Sequence, residues 1–464
     1  MKNPCCQNAH RNRSIIVNRA QALPLARRIA CTLCALLICA GACLALPVAA
    51  HAETLETDVI LGETAEERGL AASDLPDITA PHAIVVGADG TVYFERAADD
   101  QVKIASLTKL MTAIVAIENA EPTDTITVDH AAATVGESSA NLREGDTMSL
   151  EAALKALLVP SGNDAAMAIA SSVGALMDPA SDDPYGVFVD AMNAKAAELG
   201  LGAVFANPHG LDFGAWEADM HASARDVATM LAYAMQSETF RAADGSGENS
   251  ITVTGADGAE RTVTFEVWNK ILGQDGNIGG KTGTTYISGK CFAGTFVRDG
   301  EEIYVVVLGC AEDADRFADT LTLANWYYDH MKTVEVVQSD YTTMDGAVLV
   351  ARATDAAWTD KTADVVAADP DATVRVFDLA GELSLDVDLE EFSGAVRAGD
   401  AAGTLTLSQG DEALATVDLV AAEDIAEPSP LEWLLVQFDR FTRWVTGKPG
   451  SAPAEVLAEV PSLS

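Results

Sequence analysis

The stretch Ala105-Ser106-Leu107-Thr108-Lys109-Leu110-Met111-Thr112-Ala113 puts a lysine where an apolar helix should bury its side chains. Leu107, Leu110, Met111, Ile114, Val115 and Ile117 recur at helical spacing, and no charge follows Lys109 until Glu118. An ammonium inside such a helix must find partners or give up its proton, because burial penalises the charged form. Ser106 lies three residues earlier, on the same helical face. A hydroxyl one turn from a lysine that prefers to be neutral is a nucleophile beside a base. The same residues also fit a plainer arrangement, with Ser106 capping the helix and Lys109 snorkelling to solvent. An S-x-x-K spacing arises by chance about once in a chain of this length and composition, so other segments must decide.

The N-terminal segment differs in composition from all that follows. It holds Lys2, Arg11, Arg13, Arg19, Arg27 and Arg28 with no acidic residue, then an uncharged run from Ile29 to Ala50. Ala50-His51-Ala52 ends it as a small-x-small site. Basic flank, apolar core and A-x-A end describe a signal peptide over residues 1–52, so the mature chain is expected to be exported. The apolar run is also long enough for an uncleaved anchor; Pro47 and the A-x-A site favour cleavage. Without this segment, 23 basic residues face 70 acidic ones, a formal charge of −47. That charge excludes a nucleic-acid partner. Six of the eight cysteines leave with the segment, and Cys291 and Cys310 remain. They flank a hairpin predicted around Asp299-Gly300, where they can pair or stay as two buried thiols.

Residues 53–80 are acidic and poor in aromatics, and read as a linker. A hairpin follows over 83–97 with its turn at Asp89-Gly90, then the Ser106 helix, stopped near Pro122. Helical patterns fill the region from 150 to 238, and strand patterns return from Ile251 to Cys310. A helix near 314–331 closes the unit. This order predicts an α+β domain over 81–331, with helices inserted into an antiparallel sheet. Short strands alone fill 332–424 and predict a small all-β sandwich. An amphipathic helix is expected over 429–447, and a flexible tail over 448–464.

Two further stretches decide the question that Lys109 raises. Ser161-Gly162-Asn163 stands at a turn between two apolar helices, and Lys281-Thr282-Gly283 on a glycine-rich strand. Alone, each fits an ordinary turn or loop. In the order S-x-x-K, S-x-N, K-T-G they form the serine-acylation set of penicillin-binding proteins and serine β-lactamases. The segments FANPHGLD (205–212), HASARD (221–226), GESSANLREGD (136–146) and Asn269-Lys270-Ile271-Leu272 carry the likeness further. Over roughly 80–447 the chain resembles the D-alanyl-D-alanine carboxypeptidases among the low-molecular-mass penicillin-binding proteins, with Ile104 where that family often has proline.

The resemblance implies a β-lactamase/transpeptidase-like catalytic domain, the β domain behind it, and a C-terminal helix that attaches to the membrane surface. It implies that Ser106 attacks the D-Ala–D-Ala peptide bond of a peptidoglycan stem peptide and becomes an acyl-ester. Lys109 then serves as base and Ser161 relays a proton to the leaving D-alanine. Asn163 holds Lys109 and the substrate amide, while Lys281 and Thr282 bind the terminal carboxylate. The oxyanion hole is the backbone N–H of Ser106 and Thr284. β-Lactam antibiotics would be covalent inhibitors, and the enzyme would work at the extracytoplasmic face of the cell membrane, peripherally attached. A β-lactamase needs a carboxylate to activate water; Glu198 is available but lacks the asparagine expected four residues on. A D,D-endopeptidase and a non-catalytic wall-binding scaffold also compete with the carboxypeptidase. No G-x-S-x-G elbow supports a Ser-His-Asp hydrolase, and His209 and His221 are expected to order the helical region. With no H-E-x-x-H, C-x-x-C or EF-hand pattern after residue 52, no metal or other cofactor is expected.

Overall fold

The computed structural model describes residues 58–463; the predicted signal peptide, 1–52, lies outside the described residues. Strands β1 (Asp58–Ile60), β2 (Glu63–Thr64), β3 (His82–Gly87) and β4 (Val92–Arg96) open the chain. A 3-10 turn, Ala105–Thr108, then leads into α1 (Lys109–Asn119). Two short strands, β5 (Thr125–Thr127) and β6 (Thr147–Ser149), precede α2 (Leu150–Leu158), α3 (Asn163–Met177), α4 (Pro184–Glu198), α5 (Ala224–Ala234) and α6 (Glu238–Asp244). After them come β7 (Ser250–Thr254), β8 (Glu260–Thr264), β9 (Asn277–Thr285), β10 (Gly289–Arg298), β11 (Glu301–Cys310) and α7 (Asp313–His330).

Seven strands form one antiparallel sheet in the order β2-β1-β4-β3-β11-β10-β9. The pairing of β3 with β11 joins the early strands to the late ones at mid-sheet, so the chain between β4 and β9 is an excursion. That excursion carries α1 to α6 and a second sheet, β5-β6-β7-β8. The fold is thus α+β. At the centre, α1 touches α3, α4 and α5, and its apolar positions from Leu110 to Ala116 are buried in one core. Burial along this helix encloses the Lys109 side chain completely.

The linker expected over 53–80 is corrected by this sheet. Residues 58–64 are strands, and buried Asp58 accepts from the Arg96 guanidinium at 2.7 and 2.8 Å. Asp319 Oδ2 accepts from the backbone of Thr79 and Ala80, at 3.0 and 2.8 Å, fastening the rest of the segment to α7. Strands of two and three residues are too short to show a period, which is why composition misled. The Asp299-Gly300 hairpin forms, and Cys291 and Cys310 are both buried, free thiols.

The C-terminal part holds β12 (Met331–Glu335), β13 (Leu349–Thr354), β14 (Thr362–Ala367), β15 (Thr373–Phe377), β16 (Leu383–Leu389), β17 (Ala401–Gln409) and β18 (Glu412–Ala421). Helix α8 (Pro430–Val445) and β19 (Glu455–Val456) follow. Its sheets have the orders β16-β17-β18-β14-β13-β19 and β12-β15, and share a core that includes Val336, Val350, Val365, Val376 and Leu405. The tail expected to be flexible is partly bound: β19 pairs with β13, and Leu457 and Ala458 donate to the Val350 carbonyl, each at 2.9 Å. Edge pairing needs only backbone groups, so no side-chain pattern announces it.

Candidate active site

Ser106 sits in the turn that opens α1, and the backbone is forced close to two neighbours there. Ala105 has φ +48°, and a methyl group built on Gly210 would meet its carbonyl oxygen at 1.9 Å. One on Gly283 of β9 would meet the Ile104 carbonyl oxygen at 2.7 Å. Only glycine lets the 205–212 loop and β9 approach the nucleophile turn this closely.

Lys109 is fully buried and has three acceptors for three ammonium protons: Ser106 Oγ at 2.9 Å, Asn163 Oδ1 at 2.7 Å and the His209 carbonyl at 2.9 Å. Burial drives its pKa well below the usual lysine value, and the Lys281 charge lowers it further, against Asp164. Snorkelling is therefore excluded. Lys281, also buried, lies 2.8 Å from Ser161 Oγ and 2.6 Å from the Thr282 carbonyl. Burial lowers its pKa to about 7, with Asp244 opposing and Arg316 adding to the shift.

Ser161 occupies the left-handed region at φ +60°, just before α3. Three acceptor bonds of Asp164, from Ser139 Oγ at 2.6 Å, Ala140 N at 2.9 Å and Leu142 N at 3.1 Å, tie that turn to the 136–142 segment. Asn163 Nδ2 donates to the Gly136 carbonyl at 3.0 Å, which orients its oxygen toward Lys109. All seven residues singled out in the sequence thus meet. Ser106, Ser161, Thr282 and Thr284 line one cavity of about 220 Å³, and Ser106, Asn163 and Thr284 line the adjoining cleft of about 520 Å³. Lys109 and Lys281 lie beneath, joined to Ser106 and Ser161 by the contacts above.

Sequence reasoning missed Asp164, Asp244 and Arg316. Arg316, buried on α7, donates from one nitrogen to Thr284 Oγ1 at 2.9 Å and the Gly283 carbonyl at 3.0 Å. Only its place in a largely polar helix was visible, and nothing there pointed to β9. His209 contributes through its backbone: its ring is edge-on to Trp216 at 4.5 Å, and burial keeps it neutral, helped by Lys109. His221 pairs with Asp219 at 3.1 Å and lines a different cavity. Glu198, the carboxylate that a β-lactamase would need for water, ends α4 in an ion pair with Lys195 at 2.9 Å.

Known proteins match this geometry. The sequence profile of the D-alanyl-D-alanine carboxypeptidases matches residues 69–312. The carboxypeptidase DacF of Bacillus subtilis is 24% identical over 383 residues, which is 80% of this chain and 92% of that protein. DacC of Escherichia coli is 30% identical over 267 residues, covering 55% of this chain and 62% of its own length. Among solved structures, a Streptomyces DD-transpeptidase superposes with a TM-score of 0.51 at 27% identity, over 55% of this chain and 98% of that one. With a profile match over more than half its length, laid across all three catalytic segments, the chain belongs to the D-alanyl-D-alanine carboxypeptidase family of serine peptidases.

Proposed function

We propose that Ser106 and Lys109 remove the terminal D-alanine of peptidoglycan stem pentapeptides through an acyl-enzyme, with Ser161 as proton relay. Lys109, neutral once its pKa is depressed, accepts the Ser106 hydroxyl proton as Oγ bonds to the carbonyl carbon of the penultimate D-alanine. The oxyanion forms between the amides of Ser106 and Thr284, donors of a kind that contributes about 3–4 kcal/mol. The C–N bond then breaks. The leaving nitrogen takes the Ser161 hydroxyl proton, and the proton that Lys109 accepted from Ser106 replaces it, so that Lys109 is neutral again. Water attacks the ester carbon, Lys109 takes one of its protons, and the C–Oγ bond breaks as Lys109 passes that proton to Ser106 Oγ. Lys281 and Thr282 receive the terminal carboxylate, and Asn163 steers both Lys109 and the substrate amide.

One observation carries this reading: a fully buried lysine lies 2.9 Å from the hydroxyl of a strained serine turn. The test is incubation of the mature chain with a pentapeptide ending in D-Ala–D-Ala. Release of one D-alanine per tetrapeptide supports it; cleavage of cross-linked dimers alone would make the protein an endopeptidase.

The reading extends to location. The β12–β18 region serves as a small sandwich domain between the catalytic unit and α8. Eight large apolar side chains of α8, among them Trp433, Phe438, Phe441 and Trp444, are 54% to 76% exposed. Among the described residues no helix is long and apolar enough to cross a membrane, so α8 would lie in the headgroup boundary. An exported enzyme held this way would stand at the outer face of the cell membrane, within reach of the stem peptides and of β-lactams.

A further inference from the structure

Asp244, the last residue of α6, is buried to 5% exposure, and neither carboxylate oxygen has a hydrogen-bond partner. The Gly280 amide faces it and favours its charged form. A buried carboxylate left in this state needs an explanation, since leaving one unpaired costs several kcal/mol at about the level of a broken buried ion pair. Its position supplies one. A methyl group built on Gly279 would meet Asp244 Oδ2 at 2.4 Å, so the carboxylate lies against β9 two residues before Lys281. Lys281 is itself fully buried, and its hydrogen bonds go to neutral oxygens, those of Ser161 and Thr282.

We propose that Asp244 is the buried counter-ion of Lys281, a positioning residue that keeps the ammonium charged for a carboxylate-ended substrate. The other charges near this pair have different engagements. Arg316 faces Lys281 from α7 and is held by Asp313, Gly283 and Thr284. Lys109 faces the cluster from α1 and is saturated by its three acceptors. On α6 and the elements that touch it, Arg241 pairs with Glu302, and Lys155 with Glu151 and Glu248. Burial pushes Asp244 up to about 7 and Lys281 down to about 7, and each opposes the shift of the other, so the charged form of either depends on the charge of its neighbour. Gly279 is required as glycine, because any Cβ there would displace the carboxylate.

This inference rests on Lys281 receiving the substrate carboxylate, and the tests separate the two ideas. In the full mature chain, Asp244→Asn keeps the shape and removes the charge. Lys281 should then shed its proton at lower pH, so the alkaline limb of kcat/KM for a D-Ala–D-Ala peptide should move down by about one unit or more, mainly through KM. A folded variant whose profile superimposes on that of the native enzyme overturns the proposal. Should Asp244→Asn not fold, the pairing is read from stability in the Lys281→Gln background. Lys281→Gln strands Asp244, so adding Asp244→Asn should raise Tm; a further fall overturns the pairing. If Lys281→Gln alone binds the peptide with native KM, the carboxylate role of Lys281 is wrong, and the Tm comparison still decides whether the two residues are partners.

Discussion

Lys109 Nζ lies 2.9 Å from Ser106 Oγ while two other acceptors, Asn163 Oδ1 and the His209 carbonyl, hold it from behind. The ammonium is therefore positioned by groups that do not react, and the proton facing Ser106 is the one that must be absent when acylation begins. Arginine keeps a positive charge but cannot give up a proton at working pH. Lys109→Arg should lower the rate of penicillin acylation by at least about two orders of magnitude, within the usual general-base contribution. Intact mass should show one adduct on the native enzyme, none on Ser106→Ala, and a slowly accumulating one on Lys109→Arg. A native acylation rate in the arginine variant would remove Lys109 from the mechanism.

The two buried lysines should give a bell-shaped pH profile, with limbs of opposite sign. Lys109 must be neutral, so activity rises as pH climbs through its depressed pKa. Lys281 must be charged, so capture of the carboxylate weakens as pH rises above about 7 in the free enzyme. Removing the Lys281 charge relieves the repulsion on Lys109 and raises its pKa. In Lys281→Ala the acid limb should therefore move to higher pH, read as penicillin acylation rate against pH. An acid limb that stays in place would show that burial alone depresses Lys109.

Gly210 offers a test of how tightly the nucleophile turn is held. Its φ is +88°, and an added methyl group would stand 1.9 Å from the Ala105 carbonyl oxygen. Left-handed backbone costs a non-glycine residue about 1 kcal/mol, and the clash forces the loop away from Ser106 as well. Because the same loop supplies the His209 carbonyl to Lys109, Gly210→Ala should lose more activity than stability. We expect acylation to fall at least about tenfold, as small misplacements of reacting groups do, with a Tm drop of a few degrees. A native acylation rate in a destabilised protein would mean the loop does not position Lys109.

The parts of the site that were legible in the sequence share one property: each has a local signal. The apolar run around Lys109, the turn at Ser161-Gly162-Asn163 and the glycines of β9 each report their own secondary structure, and their order along the chain reports the rest. Asp164, Asp244 and Arg316 were not legible because what they do depends on residues far away. Asp164 acts on Ser139 and Leu142, Asp244 on Lys281, and Arg316 on Gly283 and Thr284. A carboxylate at the end of a helix looks the same in sequence whether it faces water or a catalytic strand. The fold followed the same division. Long strands such as β10 and β11 carry their period, whereas β1, β2, β5, β6 and β19 are two or three residues long and exist through pairing alone.

The proposed anchoring role of helix α8 can be tested on its exposed apolar side chains. Ser429 and Glu432 close a capping box at its start, with Pro430 at the first helical position. Its inner side is narrow: Val436 is buried beside Trp358, Val396 and Ile425, and Arg440 donates to the Ala356 carbonyl. Leu431, Leu434, Leu435, Phe438, Phe441 and Trp444 are left exposed on the remaining surface. Burial of that much apolar area, at about 25 cal/mol per Å², outweighs any electrostatic contribution, since a body of such negative charge is repelled by anionic lipid. Attachment should therefore survive high salt. A protein comprising residues 53–464 should sediment with vesicles of mixed neutral and anionic lipid at both low and molar salt, while one comprising residues 53–427 stays in the supernatant. Replacing Phe438 and Trp444 together with serine should weaken partitioning by at least about tenfold, given roughly 1.5–3 kcal/mol for each large side chain buried. Equal sedimentation of the long and short proteins would rule the anchor out, and release by salt would assign the attachment to charge instead of burial.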